Sequence, residues 1–170
     1  MSRNGTPDRI ESAANITLVV MRGAEQQISN AEGSLDDADF SAGDIEIPIS
    51  RLDTTKEIEI SEIRESSLKA SGYSITSISY SGKMTFKGSR YTKNSPDSDD
   101  SAEPITNFLY YDNGVPRPCS ININHDLNGE TDEYLHVLAS SESYEVRNES
   151  ETETAFDWVA MDRASDQPDN

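Results

Sequence analysis

Residues 77–90 read SISYSGKMTFKGSR. From Ile78 onward every second position, Tyr80, Gly82, Met84 and Phe86, is apolar or bare, and the positions between are polar. A period of two marks a half-buried β-strand. The pattern reaches back to Tyr73, but Tyr73 and Ile75 have the opposite parity to Ile78 and Tyr80. One extra residue turns every later side chain to the other face, so the spacing predicts a single long strand over 73–87 with a bulge or sharp bend near Thr76 and Ser77. Lys83 and Lys87 stand on the polar parity of this strand, with no catalytic group beside them.

The same alternation recurs on either side. DIEIPIS places Ile45, Ile47 and Ile49 in step, and Pro48, which cannot donate to a ladder, makes this an edge or interrupted strand. KEIEISEI repeats it with Ile58 and Ile60 against Glu57, Glu59 and Ser61. Upstream, NITLVVMRG offers a short apolar run over 16–21, long enough for one strand buried on both faces or at a subunit contact. Downstream, Ile121 and Ile123, an Asn128-Gly129 turn and the segment 134–138 read as a hairpin. A second pair follows, with Tyr144 and Val146 before a polar turn and Phe156 and Trp158 after it. Only one helix is predicted: Pro104 suits a first turn, Ile105, Phe108 and Leu109 share a face, and Asn113-Gly114 with Pro116 ends it.

These elements define one domain, 15–162, between a polar N-terminal arm at 1–14 and a polar tail at 163–170 expected to fray. Long polar loops are expected at 23–44 and 88–102. The expected class is mainly β: two packed antiparallel sheets, a sandwich or half-barrel, with one flanking helix. A length of 170 residues is enough to bury one sizeable core. Apolar residues make up only 34% of the chain and the mean hydropathy is -0.69, so it is the regularity of the pattern that argues for a folded domain.

Charge narrows the partners. Thirty-two Asp and Glu against 14 Lys and Arg leave a formal net charge of -18, spread along the chain. Such self-repulsion opposes compaction in dilute buffer, whereas at about 1 M salt the Debye length falls to about 3 Å and screens it. Spread acid with little lysine resembles the proteins of haloarchaea and their viruses. With no basic stripe to neutralise phosphates, sequence-reading nucleic-acid binding is excluded, although letting DNA pass without adhesion is not. The lone Cys119 excludes an internal disulfide framework and a Cys-based zinc cluster. The N-terminal residues show no signal-peptide pattern, and no run approaches the length of a membrane span, so no membrane partner is expected.

Catalytic and ligand motifs are weak. His125 and His136 fall on opposite arms of a predicted hairpin, near Asp126, but structural zinc takes four ligands. Asp126, Asn128, Glu130 and Asp132 lack the EF-hand spacing and fit a solvated turn better. No Gly-x-Ser-x-Gly elbow and no phosphate-cradling glycine loop occurs. Among 32 acids, paired carboxylates carry no information. Asn15 and Asn148 match glycosylation acceptors without a secretory signal to make them meaningful. The expectation is a protein without catalytic, cofactor or metal residues.

Three segments in order, YSITSISYSGKMTFKGSR from Tyr73, LYYDNGVPRPCSINI from Leu109 and VLASSESYEVRNESETETAFDWVAMD from Val137, resemble the tail tube proteins of tailed viruses. The positions that carry the likeness are Ser81, Gly82 and Gly88; Asn113, Gly114 and Pro116; and Phe156, Trp158 and Ala160. The resemblance implies a β-sandwich or half-barrel that joins hexameric rings, stacked into a hollow tube with a continuous lumen-lining barrel. It implies contacts with other tail proteins (tape measure, baseplate and terminator), passage of DNA without sequence-specific binding, and a place in the virion tail after synthesis in the host cytoplasm. Together with the acidity it points to a virus of haloarchaea.

Closure of long strands into such a barrel removes the aggregation liability of their free edges. The apolar parity, Ile58, Ile60, Ile78, Tyr80, Met84, Phe86, Ile121 and Ile123, is then expected to pack under the helix. Glu57, Glu59, Ser79, Ser81, Lys83, Asn122 and Asn124 are the candidate lumen residues. Lys83 and Lys87 either pair with glutamates across strands, which holds register, or are solvated strand-end charges. From a different class, a monomeric halophilic β-sandwich binding a small ligand or cation also fits, as does a terminator, baseplate or secretion-system tube protein.

Overall fold

The computed structural model describes residues 14–20, 44–65, 68–88, 90–91, 103–125, 130–145 and 153–166. The N-terminal arm, nearly all of the 23–44 loop, most of the 88–102 loop and the Asn128-Gly129 turn lie outside the described residues. The described residues form ten strands: β1 (Ala14–Val20), β2 (Ile45–Pro48), β3 (Arg51–Ile63), β4 (Gly72–Lys87), β5 (Arg90–Tyr91), β6 (Glu103–Pro104), β7 (Cys119–His125), β8 (Thr131–Glu145), β9 (Glu153–Ala160) and β10 (Asp162–Arg163). The one α-helix among the described residues, α1 (Thr106–Leu109), is one turn long. The fold is mainly β, as the periodicity predicts.

The main sheet is a single antiparallel sheet of eight strands in the order β2-β1-β7-β8-β9-β4-β3, with β10 paired to β8, and β5 pairs with β6 in a separate two-stranded sheet. β8 is the shared member. Its first half pairs with β7, through Ile121↔Tyr134 and Cys119↔Val137, and its second half with β9, from Leu138↔Val159 to Glu145↔Glu153. The two strands expected at 134–138 and 144–146 are therefore one. The strand changes direction where His136 takes a left-handed φ of 55° and where Ser140 is skipped in the register. The two terminal strands of the path, β2 and β3, are consecutive in the chain. Ile49 donates its N–H to the Ile16 carbonyl at 2.9 Å, and Ser50 donates to the Thr85 carbonyl at 2.9 Å, so two residues carry the backbone from one end of the sheet to the other. The result is a sheet folded over one core and closed at one corner.

That core takes Leu18 and Val20 from β1, Ile45 and Ile47 from β2, and Ile121 from β7 on one side. Opposite them stand Tyr80, Met84 and Phe86 from β4 and Phe156 and Trp158 from β9. Edge-to-face ring pairs tie it together: Tyr134 with Trp158 at 5.0 Å, Phe86 with Phe156 at 5.9 Å and Tyr80 with Tyr134 at 6.1 Å. Ile105, Phe108 and Leu109 of the helical turn plug the same cluster. The turn goes no further because Tyr110 is already extended and bridges Pro116, while Asn113 Oδ1 accepts from the Val115 N–H and Gly114 supplies a φ of 84°.

The sequence-predicted bulge is present: Glu59 faces Ser77 but Ile60 faces Ile75, leaving Thr76 as the extra residue. Pro48 sits, as expected, on a terminal strand. At the C-terminal end, regular structure runs past the boundary drawn at residue 163. Asp162 and Arg163 pair with Leu135 and Tyr134, and a 3-10 turn follows at Ala164–Asp166.

Candidate functional site

The long β3–β4 hairpin outruns the domain that supports it. β9 pairs with β4 only from Tyr80 to Lys87, so the stretches 56–63 and 72–79 form a two-stranded ribbon with no third strand among the described residues. The ribbon is two-faced. One face continues the core parity: Ile58 opposite Ile78, Ile60 opposite Ile75, and Tyr73 opposite Glu62. Here the expectation that Ile58, Ile60 and Ile78 pack under the helix is corrected. They are 44%, 56% and 50% exposed, and Ile75 and Tyr73 are more than half exposed, because the ribbon projects beyond the residues that would cover it. Tyr80, Met84, Phe86 and Ile121 of the same set are buried and Ile123 packs partly against the core.

The opposite face is polar. Glu57 pairs with Ser79, Glu59 with Ser77 and Thr55 with Ser81. Ser77 donates its hydroxyl to Glu59 Oε2 at 3.0 Å, and Thr76, the bulged residue, donates to the Glu59 carbonyl at 3.1 Å. Towards the domain the face continues through Lys83, which the register sets between Asp53 of β3 and Asp157 of β9. Ser141 of β8 donates to Asp157 Oδ2 at 2.6 Å. Lys87 faces Glu153. Both lysines thus alternate with carboxylates across the strands, Lys83 with aspartates and Lys87 with Glu153, whose other register partner is Glu145. Exposed cross-strand pairs of this kind contribute roughly 0.2–1 kcal/mol each. They set register more than stability. A cleft of about 310 Å³, lined by Arg51, Asp53, Lys83, Thr85 and Glu153 among others, opens on this face.

Five candidate lumen residues, Glu57, Glu59, Ser79, Ser81 and Lys83, therefore share one surface. Asn122 and Asn124 do not join them. They lie on β7, alternating with the inward Ile121 and Ile123, on the outer side of the other half of the sheet. The two histidines are likewise separated. His125 ends β7 beside Glu130, whereas His136 adjoins Val137, which pairs with Cys119. Six residues of extended strand span about 20 Å. Among the described residues no three His, Cys, Asp or Glu side chains gather to hold a metal, and no helix is long and apolar enough to cross a membrane. Burial pushes the Cys119 thiol up to about 12, with Arg117 nearby acting in the opposite direction, so it stays protonated.

Several positions that carried the resemblance have a structural task. Gly82 lies where a Cβ would stand 1.9 Å from the Asp53 carbonyl oxygen and 3.0 Å from Trp158 Cζ2. Gly88 has a φ of 78° and its carbonyl accepts from the buried Thr154 hydroxyl. Phe156 and Trp158 fill the core. Sequence reasoning missed the Asp132–Arg163 pair. There Arg163 Nε donates to Asp132 Oδ2 at 2.7 Å, stacks over Tyr134, and anchors the C-terminal strand β10.

No family model matches the chain, and no curated protein matches it. Among solved structures, a chain in the cryo-EM structure of the anti-feeding prophage (AFP) baseplate, 6-fold symmetrised, is similar, with a TM-score of 0.51 and 12% identity over 96% of this chain and 95% of that one. At this identity the likeness is one of fold, along nearly the whole length of both.

Proposed function

We propose that the chain is a structural subunit of a viral tail or related device, specifically a tail tube protein whose copies form hexameric rings that stack into a DNA-conducting tube. The observation that carries this is the β3–β4 ribbon, which displays a row of half-exposed isoleucines on one face and a serine and glutamate row on the other. A soluble monomer gains nothing from such a ribbon, whereas a neighbouring copy seated on its apolar face leaves the polar face for the lumen. The fold shared with a chain of a six-fold symmetrised prophage baseplate supports the same assignment.

On this proposal Glu57, Glu59, Ser79, Ser81 and Lys83 line the channel, and Asn122 and Asn124 lie elsewhere. The polar face then presents carboxylates and hydroxyls to passing phosphates, which are repelled or only weakly held. The role is assembly and conduction, with no catalysis, in the tail of a virus of a saline host. A tube subunit seated next to a baseplate is the second reading, favoured by the baseplate context of that structural relative.

The test is cryo-EM of the concentrated protein in molar potassium chloride. Hollow six-fold rings, stacked or single, with the ribbon at the subunit contact are expected. A monomer that persists at high concentration, with the isoleucine row open to solvent, would overturn the proposal in favour of a monomeric binding module.

A further inference from the structure

The half of the sheet that carries the ribbon contains four strands, β8, β9, β4 and β3, each antiparallel to the next. An even count matters in a ring. When copies are related by rotation, β3 of one meets β8 of the next running in the opposite sense, so the antiparallel alternation continues across the seam. Both edges can receive a partner. β3 is terminal in the sheet, and β7 accompanies β8 only as far as Val137, leaving 138–145 paired on one side alone among the described residues.

Both edges are acidic. β3 carries Asp53, Glu57, Glu59 and Glu62 against Arg51 and Lys56, and the open stretch of β8 carries Glu142 and Glu145 with no Lys or Arg. Arg51 approaches Asp53 at 3.7 Å and Arg64 holds Glu62 at 2.6 Å, yet acids outnumber cations along β3 by four to two. Resting on the ring assignment above, we propose that the β3–β8 seam is gated by ionic strength. Carboxylates on the two edges hold copies apart until mobile ions screen them. Strands at a seam lie about 5 Å apart. The Debye length falls from about 30 Å at 0.01 M salt to about 3 Å at 1 M, from well beyond that spacing to within it. Below the threshold the subunit stays folded and separate; above it the isoleucine row closes the ring.

The test follows ring formation by sedimentation and negative stain across a series of potassium chloride concentrations, with emission of the single tryptophan, the buried Trp158, reporting the fold. The wild-type chain is compared with a Glu57→Gln, Glu59→Gln, Glu142→Gln variant. The expected result is a folded monomer at low salt, rings above a threshold, and a threshold several-fold lower in the variant. Potassium chloride and potassium sulfate matched in ionic strength are expected to share that threshold. A threshold that ignores the substitutions, that follows anion identity instead of ionic strength, or that coincides with loss of the native Trp158 signal overturns the gate and leaves the ring standing. Absence of rings from both proteins at every salt concentration overturns the ring itself, and the gate with it.

Discussion

Replacing Ile60 and Ile75 by threonine separates assembly from folding. The two side chains face one another across the ribbon and are 56% and 54% exposed in the single chain. Complete burial of an isoleucine contributes about 1.5–3 kcal/mol, so covering the remaining half of each is worth about 1 kcal/mol, or about 2 kcal/mol for the pair. At 1.4 kcal/mol per decade, the double substitution should weaken each subunit contact about 30-fold. Threonine keeps the β-branched stem that suits a strand, and within the subunit the replaced groups make only an exposed cross-strand pair with one another. Folding stability should therefore change by less than about 0.5 kcal/mol. A dilution series read by light scattering yields the critical concentration, and urea unfolding of the monomer, followed through Trp158, yields the stability. An unchanged critical concentration would refute the ribbon as the contact. A monomer destabilised by more than about 1 kcal/mol would show that the isoleucines serve the subunit's own fold.

Three further substitutions test how the site is held. Gly82→Ala drives a methyl group into the Asp53 carbonyl and the Trp158 ring; local overpacking and disturbed β3–β4 hydrogen bonds are expected to cost about 3–5 kcal/mol, and a urea midpoint near wild type would contradict the close approach. At His136, whose φ is 55°, the usual preference for alanine over glycine should reverse; His136→Gly is expected to be about 1 kcal/mol more stable than His136→Ala, and the opposite order would exclude a left-handed backbone there. The Asp132 carboxyl is raised by burial but more strongly lowered by the Arg163 hydrogen bond and charge and by the Glu133 N–H, and its net shift is downward. A lowered folded value means the pair contributes above the ordinary aspartate range, near pH 4, and loses that contribution as pH falls through the folded value. Arg163→Met should cost about 1 kcal/mol at neutral pH and flatten the acid limb of the stability curve, and a parallel acid limb in both proteins would remove the pair from the account.

The strands were legible from residues 77–90 outward because a period of two is a local property of the chain. It placed β4, the Thr76 bulge, the edge position of Pro48 and the inward Tyr80, Met84 and Phe86 without reference to any partner. The charge pattern was equally local, and it already set serine and glutamate on the face that the ribbon now presents. The periodicity carried no information on how far each strand is covered. Ile58 and Phe86 have the same parity and the same neighbours in kind, yet one is 44% exposed and the other fully buried, because β9 ends at Ala160 and the ribbon does not. Asn122 repeats the spacing of Ser79 and still faces another side, since the path from β7 to β4 crosses β8 and β9 and folds over the core. Residue order along one strand fixes only which side of that strand a group occupies. Which surface that side becomes depends on strand order, register and the length of the neighbours. Those are settled by long-range pairing such as Ser50 with Thr85 and Arg163 with Asp132, where the partners lie tens of residues apart.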